Sequence, residues 1–152
     1  MITQQTRQSE AYKPTQVTPW LQLNRLIEAN HSTILGRETN NHNHIHLYAY
    51  GAYWAAFEQS AYQLCRLFPG SSTAILQIKG YPFPAIMATL PDKELYTPKA
   101  VQYPPRTVTP DYKILAVPNL TPTRYRAWYT RLLKQHTEIQ HLINQYKLPI
   151  TI

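Results

Sequence analysis

Thiol chemistry is almost absent from this chain. Cys65 is the single cysteine among 152 residues, so no internal disulfide can form, and that points to a reducing compartment. Glycine is nearly as scarce. Four isolated glycines exclude the glycine-rich loops that cradle phosphates, and neither G-x-G-x-x-G nor a Walker-type run occurs. Turns that need positive φ must draw on these few glycines or on Asn and Asp. Carboxylates number only eight. Their one tight pair, Asp92 and Glu94, stands beside a proline with Lys93 and Lys99 nearby, but no Glu-x-Lys strand follows to complete a nuclease centre. No apolar run approaches the roughly 18–20 residues of a membrane span. The opening MITQQTRQSEAYKPTQ lacks the apolar core of an export signal. The expectation is a soluble, cytoplasmic protein with no membrane partner.

What is present is apolar, aromatic and basic. An apolar fraction of 43% suits a folded chain, and a domain of this length buries about 68–70% of its unfolded surface without metal or disulfide staples. The chain holds 12 Tyr and 13 Pro and carries a net charge of +7. Nine Lys/Arg against four Asp/Glu fall within residues 91–152, so any attraction for a polyanion is expected to act through the C-terminal third.

Residues 1–17 are polar and aperiodic, which predicts a mobile tail before a single domain over 18–152. Thr18-Pro19 has the form of an N-cap with proline at the first helical position. Trp20, Leu23, Leu26 and Ile27 then predict a helix over about 19–30. The stretch 44–50 fits either a strand, with His44, His46, Tyr48 and Tyr50 on one side, or the start of the next helix. From Ala52 to Phe68 the aromatic spacing predicts a helix apolar on two faces, ended by Pro69-Gly70. Residues 73–79 and 85–90 predict a hairpin, and 112–117 a third strand. Between them, 91–111 is a Pro-rich loop. Thr121-Pro122 opens a long helix to about Tyr146, with Tyr125, Trp128, Tyr129, Leu132, His136, Ile139, Leu142, Ile143 and Tyr146 on one stripe. The fold class expected is α+β: a small antiparallel sheet of about three to four strands, with two or three helices packed on one face and the long C-terminal helix covering it.

Two constellations stand out as candidates for chemistry. His42, His44 and His46 alternate, so on a strand their imidazoles would share one face and neighbours could chelate a metal. No paired cysteine and no H-E-x-x-H supports them, and a solvated polar segment explains the same residues. Lys99, Arg106, Arg124, Arg126, Arg131 and Lys134 form a basic set with tyrosines interleaved, the side chains that contact phosphates and stack on bases. An ordinary solvated face is the simpler reading of it. Cys65 falls inside an aromatic face, where a thiol acts as a small apolar group, and His136 falls on an apolar stripe as a hydrogen-bonded core histidine would. No catalytic set emerges and no cofactor is called for. The first expectation is therefore a non-enzymatic binding protein that self-associates or takes a protein partner, through the aromatic helix 52–68. The alternative is a nucleic-acid-binding accessory protein using the C-terminal helix and the Pro/Tyr/Arg loop. A third reading is a small metal-dependent hydrolase at His42, His44 and His46.

Overall fold

The computed structural model describes residues 18–97 and 100–146. The tail expected over 1–17 and the basic residue Lys99 lie outside the described residues. In chain order the elements are α1 (Pro19–Glu38), β1 (His44–Tyr50), β2 (Tyr53–Phe57), α2 (Gln59–Leu67), β3 (Ser72–Leu76), β4 (Ala85–Pro91), β5 (Arg106–Thr109), β6 (Tyr112–Ala116) and α3 (Pro122–Tyr146). Two 3-10 turns, Asp92–Tyr96 and Ala100–Gln102, lie between β4 and β5. The strands form one sheet in the order β3-β4-β2-β1-β6-β5, with every pairing antiparallel.

The class is α+β, as the pattern predicts, but the sheet has six strands rather than three to four. Two strands account for the difference. Residues 52–68 are not one helix: Tyr53–Phe57 is a strand and only Gln59–Leu67 is helical. Trp54, Ala55, Ala56 and Phe57 are all buried, because β2 lies centrally and both its sides are covered. A strand buried on both faces shows no alternation and cannot be told from a buried helix by periodicity. Gly51 is the residue that decides. At φ 56 it takes the first central place of a two-residue hairpin, with Tyr50 opposite Tyr53. The same turn settles 44–50 as strand β1. The other missed strand, β5, sits inside the Pro-rich stretch, where Pro110-Asp111 turns the chain from β5 into β6.

Helices cover both faces of the sheet, not one. Because side chains alternate across a strand, Ile45, Leu47, Trp54, Ala56, Ala88, Leu90 and Leu115 face α2 and meet Ala61, Leu64 and Phe68 there. Tyr48, Ala55, Phe57 and Met87 face the other way and meet Leu23 and Ile34 of α1. Each such fully buried large apolar side chain stabilises the fold by about 1.5–3 kcal/mol. α1 runs eight residues past its expected end at 30, and Ile34, only 2% exposed, is what holds that extra length to the sheet. Thr18 caps it, its Oγ1 accepting the Leu21 N–H at 3.2 Å. α3 does not lie on the sheet. Its Trp128, with Tyr125 and Tyr129, packs into the α2 cluster, and the Tyr129 hydroxyl donates to the Pro84 carbonyl at 2.6 Å.

Candidate functional site

α3 is docked along its first half and open along its second. Trp128 is buried and Tyr125, Tyr129 and Leu132 are partly so, with Tyr62 of α2 edge-on to both Tyr125 and Trp128. Further along, Ile139 is 56% and Leu142 49% exposed, although both continue the same stripe. His136 is exposed here, not a core histidine, because the helix has by then left its support. Arg124, Arg126, Arg131 and Lys134 are all exposed on α3.

Arg106 stands apart from those four. It pairs with Ile114 on β6, which pairs with His46 on β1, so the three share the sheet face that carries α1. α3 joins the opposite layer. The basic set read from the sequence is thus divided between two sides of the molecule.

The histidines are divided as well. His44 and His46 point from the same face of β1 with ring centroids 6.3 Å apart. His42 precedes the strand and is exposed, and its carbonyl accepts from the Leu120 N–H at 2.7 Å and from Gln63 Nε2 at 3.2 Å. Among the described residues, no three His, Cys, Asp or Glu side chains are grouped to hold a metal ion. Instead His46 Nδ1 lies 2.8 Å from the Tyr112 hydroxyl and the two rings stack. Burial, then the charges of Arg37 and His44, pushes the His46 pKa down to about 4, so its ring is neutral near pH 7.

Around that pair stands a surface that the sequence pattern did not disclose. Tyr112 also stacks on Tyr48, with centroids 5.3 Å apart and planes within 9°. Arg37, in the last turn of α1, lays its guanidinium 4.1 Å from the Tyr112 ring centre and donates to the Tyr48 hydroxyl at 3.2 Å. His44, His46, Tyr112 and Tyr48 form one row across β1 and β6. A recess of about 240 Å³, lined by Arg37, Tyr48, Thr109, Asp111 and Tyr112 among others, opens beside it. The alternation of 44–50 was the available signal. Tyr112, far away in sequence, and Arg37, in the last turn of the preceding helix, had none.

A second recess, of about 160 Å³, is lined by Glu38, Glu58, Tyr81 and Tyr125 among others. Glu58 occupies the strand-to-helix corner at φ 54, ψ −120, a left-handed setting that costs a non-glycine residue about 1–3 kcal/mol. It is held there by Ile86, whose N–H donates to Glu58 Oε1 at 2.8 Å and whose carbonyl accepts the Glu58 N–H at 2.9 Å. Glu38 is 2% exposed and accepts from the Ser60 N–H, the Ser60 hydroxyl and Asn41 Nδ2. Burial raises both carboxyls to a pKa of about 7. Each is engaged in holding the backbone, and a reacting centre would need a base free to meet a substrate. Cys65 is half-buried, and burial raises its thiol pKa, which lowers its reactivity.

Comparison with protein-family models, with curated proteins and with solved structures returned no match.

Proposed function

We propose that this chain is a non-enzymatic interaction protein that pairs with a second copy of itself through the second half of α3. The observation that carries the reading is the exposure of Ile139 and Leu142 on a stripe whose first half is already used for packing. Tyr125, Tyr129, Leu132, His136, Ile139 and Ile143 are spaced 4, 3, 4, 3 and 4, the alternation that lets two helices bury a shared seam. His136 gives that seam one polar position, of the kind that selects a register at some cost in stability. The reading no longer draws on 52–68, whose aromatic residues belong to a central strand and a covered helix.

The test is multi-angle light scattering across a wide concentration range. A dimer is expected, and Ile139→Glu with Leu142→Glu is expected to give a monomer with unchanged circular dichroism. A wild-type chain that stays monomeric at high concentration sinks the reading. The metal-dependent hydrolase reading is the least supported, since His42 lies outside β1 and, among the described residues, no three metal-binding side chains are grouped. Metal analysis of untagged protein tests it: stoichiometric zinc, manganese or iron revives it and metal-free protein ends it. The nucleic-acid reading keeps one specific support, the place of Arg106 on the sheet face that carries His46 and Tyr112.

A further inference from the structure

We propose that the ring-lined sheet face of β1, β6 and β5 binds single-stranded nucleic acid, with Arg37 and the Tyr112–His46 pair as its stacking platform and Arg106 as a phosphate contact. The interface is thereby placed on the opposite layer from α3, where the sequence pattern had put most of it.

The topology leaves this face open. α1 crosses β1 and β2; Leu26, Asn30 and Thr33 line the recess beside Thr109, Asp111 and Tyr112, and Arg37 in its last turn reaches over the Tyr112 ring. Beyond it, β5 is exposed along its whole length and is an edge strand. Between Arg37 and Arg106 lie His44, His46, Tyr112 and Ile114, all half-buried: fixed by the sheet but reachable from solvent. Cross-strand stacking fixes the planes of Tyr112 and its neighbours without help from a ligand. A platform set in advance costs little ordering on binding.

The chemistry then selects the occupant. Bases splayed from a single strand stack on aromatic rings and on arginine guanidinium planes, while a duplex keeps its bases stacked internally. Arg37 is exposed, and its guanidinium lies over the Tyr112 and Tyr48 rings, a plane that a base can extend by stacking. His46 adds a neutral ring rather than a charge. Charge favours the same partner. Arginines flank the row on both sides, the chain carries +7 overall, and the nearest carboxylate inside the fold, Glu38, is buried under Ser60 and Asn41. Asp111, at the β5–β6 turn, lines the neighbouring recess and sets the limit of the surface on that side. An acidic peptide would satisfy the arginines but leave the rings unused.

Fluorescence anisotropy decides it, with labelled single-stranded RNA, single-stranded DNA and a duplex titrated at low and near-physiological salt. Both single strands are expected to bind, more tightly than the duplex, and to weaken as salt rises. Arg37→Ala and Tyr112→Leu are each expected to weaken single-strand binding by about 5–150-fold, the range for one lost stacking contact. Arg37→Lys is expected not to restore it, since it keeps the charge and loses the plane. Arg106→Ala, on an exposed strand where folding is not at stake, is expected to reduce the slope of log affinity against log salt by about 0.7. Arg131→Ala with Lys134→Ala is expected to bind as wild type does. The proposal is overturned by no binding at low salt, by equal affinity for duplex, or by loss in the α3 pair rather than in the Arg37 and Arg106 variants. Polyglutamate binding as tightly, with the same response to Arg37→Ala, would overturn it in favour of an acidic protein partner.

Discussion

Three ionisable side chains hold the centre of the molecule in states that water would not choose. Glu38 and Glu58 have carboxyl groups raised from 4.5 to about 7 by burial, and His46 has an imidazole lowered from 6.5 to about 4 by burial and by the charges of Arg37 and His44. For the glutamates the folded state binds its proton more tightly than the unfolded state. Their stabilising contribution is therefore complete below about pH 4.5 and is lost as pH rises to about 7. His46 acts in the opposite sense, weakening the fold as pH falls from 6.5 towards about 4. Two groups outweigh one, so the urea midpoint should fall between about pH 5 and about pH 7. Glu58→Gln leaves one glutamate opposed by His46 and should therefore nearly abolish that fall while keeping an acceptor for the Ile86 N–H. A midpoint that rises with pH over this interval, or a variant with an unchanged slope, would contradict the account. None of this was legible in the sequence. Glutamate is normally a surface residue, and Glu38 is buried and Glu58 half-buried only because α1 and β2 deliver them to one corner with Ser60, Asn41 and Ile86 waiting.

At the scale of elements, α2 is the piece that joins the rest, and one side chain does much of it. Gln63 is fully buried; its Nε2 donates to the carbonyls of His42, before β1, and Pro118, after β6, while its Oε1 accepts from Arg66. Gln63→Met keeps the volume and removes one donor from each carbonyl, leaving His42 the Leu120 N–H and Pro118 the Arg66 guanidinium. The cost should be on the order of 1–3 kcal/mol, read as a fall in urea midpoint at unchanged slope. Trp128→Ala should cost about 3–5 kcal/mol, since it empties the joint between α2 and α3, whereas Leu142→Ala in the free half should fall within about 0.5 kcal/mol of wild type in thermal scans of the monomer. Element boundaries were readable where a local rule governed them. Thr18-Pro19 and Thr121-Pro122 both open helices, and Ala85 opens a strand. They were misread where burial replaced amphipathicity. β2 is apolar on both sides because both sides are covered, and α1 runs on through His31, Ser32 and Thr33 because Ile34 beyond them reaches the core.

The whole molecule presents two surfaces on opposite layers: the free half of α3, and the ring row flanked by Arg37 and Arg106. They should be separable. Ile139→Glu with Leu142→Glu should abolish pairing and leave oligonucleotide affinity within about twofold per chain, while Arg37→Ala should weaken oligonucleotide binding and leave pairing unchanged. Salt divides them too. Raising it should weaken the phosphate-dependent contact steeply and leave the apolar one intact or strengthened. Loss of both activities in one variant would mean that the two surfaces are one. Among the described residues, no helix is long and apolar enough to cross a membrane.

By itself, the sequence determined the class of the fold, both proline-opened helices, three of the six strands and the excess of positive charge. These depend on local stereochemistry and composition, which a chain carries before it folds. Only tertiary structure decided the rest: that the sheet is covered on both faces, that Arg106 leaves the company of the α3 arginines for that of His46, and that Tyr112 meets Tyr48 and Arg37. The physical reason is cross-strand register. Ile114 opposite Arg106 belongs to a local hairpin, but His46 opposite Ile114 follows from hydrogen bonds between strands about 70 residues apart, and no window along the chain contains both His46 and Arg106.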